Sequence, residues 1–182
     1  YKDHLNKYDG LPTNEKLKIL FKNKLSKKRS IQISNYKQKI TANLIKKKIV
    51  YNEKIFKIFK SLYEKGYVIC VASNAVKLTV NSCLKILKIK KFIKYSLSNN
   101  DVKKPKPHPE IYLKLFLNLG LSPKETLIVE DSYYGLKAAR DSGANVFQLN
   151  NSKDLSYKEI SNYIKILNGV KKSKNMIWKN KK

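Results

Sequence analysis

A chain of 182 residues, 42% of them apolar, can bury one core or a core with a small appended module, which excludes a large multidomain assembly. Its 40 Lys and Arg against 13 Asp and Glu give a formal charge of +27, a field that attracts any phosphate-rich surface without choosing among them. Arg stands only at Arg29 and Arg140, whereas a surface built to grip phosphates or bases recruits Arg for its planar fork, so the charge reads as a bias toward Lys with no specific nucleic-acid partner.

In chain order, residues 1–10 are polar and mixed. Gly10-Leu-Pro-Thr13 is a turn into a helix that Thr13 can cap, with Leu17, Ile19, Leu20 and Leu25 on its buried side. From Lys27 to Lys48, Ile33, Tyr36, Ile40 and Leu44 recur at helical spacing, and the two stretches predict a two- or three-helix module. Beyond Val50 the pattern changes. Glu53 to Lys65 is a helix with Phe56, Phe59, Leu62 and Tyr63 as its core stripe and Gly66 at C′. Tyr67 to Ala72 reads as a fully buried strand, because parallel sheets demand near-continuous apolar runs. A helix from Ala75 to Leu87 follows, then a strand from Phe92 to Leu97 and a proline-stiffened loop from Asp101 to Pro109. Next come a helix from Glu110 to Leu119 ended by Gly120, a strand from Thr126 to Val129, and a helix from Ser132 onward. A strand from Ala144 to Leu149 and a closing helix from Asp154 to Leu167 complete the series. Alternating strands and helices predict a doubly wound parallel sheet of the Rossmann-like α/β class. Residues 169–182 carry six Lys and no acid, and are expected to be a disordered tail.

Cys70 and Cys83 lie on apolar faces and read as small buried hydrophobes, with neither disulfide nor metal-knuckle spacing. No apolar stretch approaches the roughly twenty residues that span a bilayer, and no signal peptide is visible. No membrane partner and a cytoplasmic location are therefore expected.

Three loops at strand ends carry the chemistry. Ser73 and Asn74 stand ahead of a helix, where free N–H groups and the positive dipole end favour a phosphate; an ordinary N-cap is the competing reading of Ser73. Lys106 lies between two prolines that fix its backbone and aim its ammonium, although alone it is one more surface lysine. Glu130 and Asp131 end an apolar strand where open α/β sheets bind ligands, and adjacent acids there suit a hard divalent cation such as Mg²⁺; the alternative is a solvated turn capped by Ser132. An anion pocket, an aimed cation and a metal pair on successive loops together form a phosphoryl-transfer constellation.

These motifs resemble the haloacid dehalogenase-like hydrolase superfamily, in its branch of small phosphatases and β-phosphoglucomutase-like enzymes with a helical cap. The resemblance rests on Val71-Ala-Ser-Asn-Ala75, on Asp101-Val-Lys-Lys-Pro-Lys-Pro-His-Pro-Glu-Ile-Tyr112, and on Val129-Glu-Asp-Ser-Tyr-Tyr-Gly-Leu-Lys-Ala-Ala139, and covers residues 1–167. It implies that residues 1–50 are part of the cap and 51–168 the core, that Ser73 and Asn74 hold the transferring phosphoryl group, and that catalytic Lys106 neutralises its charge. By the same resemblance Glu130 and Asp131 hold Mg²⁺, directly or through water, and the cap residues Asn14 and Lys16 face the leaving group. The family has Gly just before the motif lysine, where this chain has Pro105. The family's first motif, an Asp-x-Asp after the first strand that supplies the nucleophile, is absent: Lys7 stands where the nucleophile would precede Asp9-Gly10, and neither Asp9 nor Asp3 follows an apolar strand.

The resulting expectation is an N-terminally truncated Mg²⁺-dependent phosphatase or phosphomutase, with a small phosphorylated metabolite such as a sugar phosphate as substrate and the first strand missing from the middle of its sheet. A non-catalytic relic that binds a phosphate ligand or a partner is the second reading, and a basic nucleic-acid module the third. His4 and His108 have no partner at ligand spacing and read as structural or solvated.

Overall fold

The computed structural model describes Tyr8 and residues 10–179, with side chains as far as Asn168. Asp3, His4, Lys7 and Asp9 lie outside the described residues. Two helices open the fold, α1 (Thr13–Leu20) and α2 (Lys27–Lys48). Thr13 does not cap α1: Pro12 takes the N-cap position with φ −61°, a value its ring sets in advance, and Thr13 is the first helical residue. Leu17 is buried, but Ile19 and Leu20 are exposed and Leu25 lies in the loop beyond the helix. On α2 the predicted stripe is only partly covered, with Tyr36, Ile40 and Leu44 exposed. The buried seam runs about a third of a turn away, through Ile45, where α2 meets its neighbours.

The α/β part begins with α3 (Glu53–Glu64), capped by the Asn52 side chain at the Ile55 N–H and ended by Gly66 at φ +80°, a left-handed value that glycine takes without a Cβ clash. It feeds β1 (Ile69–Ala72), α4 (Lys77–Ile86) and β2 (Ile93–Leu97). Tyr67 and Val68, predicted within the first strand, lie before it and are exposed, and β1 itself is half-buried throughout. Then come α5 (Glu110–Leu119), β3 (Leu127–Glu130), α6 (Tyr133–Asp141), β4 (Asn145–Gln148) and α7 (Tyr157–Lys179). The backbone of α7 stays helical to Lys179, beyond the Leu167 where the closing helix was expected to end; lysine is a good helix former, and basic composition alone does not unwind a chain.

All strand pairing among the described residues is parallel, but the sheet is in two halves. β1 pairs only with β2, and β3 only with β4. A sheet lacking its first strand from the middle, between the strands that end at Ser73 and Glu130, was the expectation; the half-burial of β1 follows from an edge with no strand against it among the described residues. Helix α5 ties the halves together. Its Ile111, Tyr112 and Phe116 pack with Ile128, Ala138 and Ala139, and this cluster meets Ala72 and Leu97 from one half-sheet and Val146 from the other. The opposite face of β1, with Ile69 and Val71, packs against Val80 and Leu84 of α4 and Phe56 and Phe59 of α3. That alternation is the period of two expected of a strand covered on both faces.

Candidate phosphate site

The carboxyl ends of β1 and β3 converge on Lys106. Lys106 is 5% exposed, and its ammonium donates to the Ala72 carbonyl at 3.1 Å and to Glu130 Oε2 at 2.7 Å and lies 4.8 Å from the centre of the Tyr112 ring. A lysine is buried at such depth only when paired. Its loop is held from three sides. Glu110 accepts the N–H groups of Lys103 and Lys104, both at 2.8 Å; the prolines Pro105 and Pro107 flank the lysine; and Asn74 grips its backbone. The Lys106–Pro107 bond is cis.

Asn74 was expected at the phosphate, but its side chain is spoken for by backbone. Oδ1 accepts the Lys106 N–H at 3.0 Å, and Nδ2 donates to the carbonyls of Lys106 at 2.9 Å and Gly10 at 2.7 Å. What Asn74 can offer an anion is therefore its main chain. Ser73 lies four residues before α4 rather than in its first turn, its Oγ accepting the Ala75 N–H at 3.1 Å. The serine hydroxyl keeps its proton to donate.

Glu130 receives more donors than any other carboxylate described. Lys106 Nζ and, at 3.1 Å, the Tyr112 hydroxyl donate to Oε2, while the N–H groups of Asp131 and Ser132 and the Ser132 hydroxyl donate to Oε1. Burial pushes its carboxyl up, but the charge and hydrogen bond of Lys106 with the bonds from Ser132 outweigh that, and it stays ionised below its ordinary range. Burial first, and the adjacent Glu130 second, drive the Tyr112 phenol far above its usual value, so it is a fixed donor. Ser132 also caps α6 through the Gly135 N–H, as the solvated-turn reading of this stretch supposed. A carboxylate with about four lone-pair positions and five donors has none left for direct metal ligation. Asp131 is exposed beside it. Among the described residues no three His, Cys, Asp or Glu side chains gather as a metal cluster.

A cavity of about 290 Å³ opens over these groups, lined by Ser73, Lys106, Glu130 and Ser132 below and by Gly10 to Thr13 and one face of α2 above. The α2 residues that reach it are Lys37, Gln38 and Thr41. Asn14 and Lys16 are not among its lining residues; the Asn14 Oδ1 accepts the Ser34 hydroxyl at 3.1 Å and so ties α1 to α2. Sequence reasoning missed the α2 residues because Lys37 looks like its many neighbours. Their spacing at i, i+1 and i+4, which puts three polar side chains on the seam side of a helix, was the available signal. His108 is structural, its Nδ1 accepting the Glu110 N–H. Cys70 and Cys83 are free and half-buried, and burial raises both thiols.

Residues 1–149 match the haloacid dehalogenase-like hydrolase family. Over 91 residues the chain is 33% identical to the pyrophosphatase PpaX of Anoxybacillus flavithermus, a stretch that is 50% of this chain and 42% of that protein. The chain thus spans less than half the length of this curated relative. Among solved structures, β-phosphoglucomutase from Clostridium difficile superposes with a TM-score of 0.67 at 19% identity, covering 84% of this chain and 77% of the other. CbbY from Rhodobacter sphaeroides, in complex with xylulose-1,5-bisphosphate, does so with a TM-score of 0.70 at 17% identity, covering 81% and 68%.

Proposed function

The chain belongs to the haloacid dehalogenase-like hydrolase family, and from that premise we propose that it is the phosphate-binding part of a Mg²⁺-dependent phosphatase or phosphomutase acting on a small phosphate ester, a sugar phosphate being the representative substrate. The observation that carries this reading is the buried Lys106 ammonium, fixed between Ala72 and Glu130 at the floor of the cavity that Ser73 also lines. An ammonium whose position is set before the ligand arrives stabilises phosphoryl charge without reorganising. Ser73 donates its hydroxyl to a phosphoryl oxygen, backbone N–H groups of the loop after β1 add to it, and Lys106 neutralises the charge. Asp131 would hold the Mg²⁺, with Glu130 fixing the loop that carries it rather than ligating, and the ion when bound would supply further charge neutralisation at the phosphoryl oxygens. The attacking carboxylate is proposed to come from sequence upstream of Tyr1, on a strand between β1 and β3. Supporting this are the edges of those two strands, unpaired among the described residues, and the length of the PpaX relative.

A second reading, a non-catalytic phosphate binder, draws on one observation: Glu130 is the only carboxylate lining the cavity among the described residues, and its oxygens are engaged. The deciding experiment is hydrolysis of p-nitrophenyl phosphate with and without Mg²⁺, on this chain and on a version extended upstream. Turnover by the extended protein alone, lost in Asp131→Asn, is expected. Inorganic phosphate binding by both forms with turnover by neither would establish the binder instead.

A further inference from the structure

An ammonium stabilises phosphoryl charge only as well as it is placed beforehand, and its placement depends on the main chain that carries it. The Lys106 side chain is held by Ala72 and Glu130, but its own backbone has no local partner. Pro105 and Pro107 on either side lack an N–H, and the turn bond that spans them, from the His108 N–H to the Pro105 carbonyl at 3.0 Å, leaves the N–H and carbonyl of Lys106 unused. Both groups belong to a buried residue and must be paired. One side chain does this. Asn74 Oδ1 accepts the Lys106 N–H at 3.0 Å, and Nδ2 donates to the Lys106 carbonyl at 2.9 Å. The carboxamide therefore stands in for the exchange of bonds between paired residues of an antiparallel sheet. Gln, the other carboxamide side chain, is a methylene longer, and Asp has no donor when ionised. The remaining Nδ2 hydrogen goes to the Gly10 carbonyl at 2.7 Å, so that the same group also fixes the turn lying over the floor. With both of its donors engaged on carbonyls, the carboxamide has none to give a phosphate.

We infer that the Asn74 side chain is a positioning group: it sets where the Lys106 ammonium stands by pairing with the Lys106 main chain, and it touches no ligand itself. The inference rests on the phosphate reading of the Ser73 and Lys106 floor, and within that floor it gives the Asn74 side chain a different part from the phosphoryl contact its motif implied. Removing the carboxamide strands the N–H and carbonyl of Lys106, and the loop must move to pair them with water, carrying the lysine stem with it. A misplacement of about 1 Å in a group that must meet a reacting charge can cost about a hundredfold, so phosphate affinity should fall by about tenfold or more.

Calorimetric titration of the full chain with inorganic phosphate compares the parent with Asn74→Ala and with a control, Asn145→Ala. The Asn145 side chain also donates to two backbone carbonyls, those of Lys124 at 2.9 Å and Thr126 at 3.1 Å, but at the amino end of β4 and not at the carboxyl ends where the site lies. Both variants should unfold at lower urea than the parent, whereas only Asn74→Ala should lose phosphate affinity, by about tenfold or more. An equal loss of affinity in the two variants would make Asn74 a structural residue and overturn the inference, as would undiminished affinity in Asn74→Ala. A second measurement needs the parent alone and decides the matter even if Asn74→Ala does not fold. In nuclear magnetic resonance spectra of the parent, the Asn74 carboxamide signals, assigned through the residue's own backbone, should keep their positions at saturating phosphate while the Asn74 backbone N–H signal moves. A carboxamide movement as large as that of the backbone N–H would make the side chain a phosphate ligand and overturn the inference while leaving the phosphate reading in place. No phosphate binding by the parent would overturn both.

Discussion

Five donors on one carboxylate make Glu130 the residue on which the site's rigidity depends, and they set the cost of removing any of them. Its side chain is 12% exposed and that of Lys106 6%, so neither charge has water to fall back on. Breaking such a pair by deleting one partner costs about 3–5 kcal/mol, because the survivor keeps its desolvation without its counter-charge. Lys106→Met should therefore lower unfolding stability by that amount in urea titrations, and adding Glu130→Gln should restore part of it by removing the stranded charge. A single variant as stable as the parent would show that the pair is not formed. Gly135 is bound to the same carboxylate by space: a Cβ placed there would overlap the Glu130 carboxyl group. Gly135→Ala should then push Glu130 off Lys106 and weaken inorganic phosphate binding at least tenfold, even though alanine favours the helix by about 1 kcal/mol. Unchanged binding in this variant would mean that α6 can shift away without disturbing the site.

At the scale of elements, α5 and the loop before it join the two half-sheets to Lys106. Ile111, fully buried at the centre of the cluster shared by both halves, should cost about 2–5 kcal/mol when cut to Ala, measured by thermal or urea unfolding. The turn from Asn99 to Asp101 adds a pH term. The Ser98 hydroxyl, at 2.6 Å, and its backbone N–H hold the Asp101 carboxyl below its ordinary value, with a smaller contribution from Lys77. A depressed folded value means that the stability from this group is present above the unfolded pKa of about 3.9 and lost as pH falls through the folded one. Glu110, bonded to the Lys103 and Lys104 N–H groups, shifts in the same direction. Melting temperatures taken from pH 6 down to pH 2 should fall less steeply in Asp101→Asn than in the parent; parallel curves would remove Asp101 from the acid limb. Much of this level was legible in the sequence. The strand runs, Gly66, Gly120, the Ser132 cap and the prolines around Lys106 act on near neighbours and leave local marks. Asn74 holding Lys106 across 32 residues, Tyr112 reaching Glu130 across 18, and Lys37 facing the cavity leave none, because each depends on a tertiary approach that no periodicity encodes. The exposure of Tyr36, Ile40 and Leu44 was hidden for the same reason: helical spacing tells which residues share a face and not what covers it.

For the whole molecule the question is whether the +27 charge and the cavity are one device or two. The field belongs to lysines spread along the chain, mostly on exposed faces, and its reach in 0.1 M salt is about 10 Å. Such a surface binds polyanions by releasing their counterions, which makes the logarithm of the affinity fall linearly with the logarithm of salt concentration and gives no preference among sequences. The cavity instead presents an ammonium already seated in a partly desolvated floor, where screening is weaker. The two should therefore separate cleanly. A labelled DNA duplex should bind in 50 mM salt and be released by 0.3 M, with the same slope for unrelated sequences, while inorganic phosphate binding at the cavity changes only severalfold over that range. Lys106→Met should abolish the second and leave the first untouched, since one buried lysine contributes little to the outer field. DNA binding that selects a sequence and persists at 0.3 M, or that disappears with Lys106, would make the basic surface and the cavity parts of one nucleic-acid site. A phosphate response that survives Lys106→Met would assign anion binding to the lysine surface at large and remove the cavity as its cause.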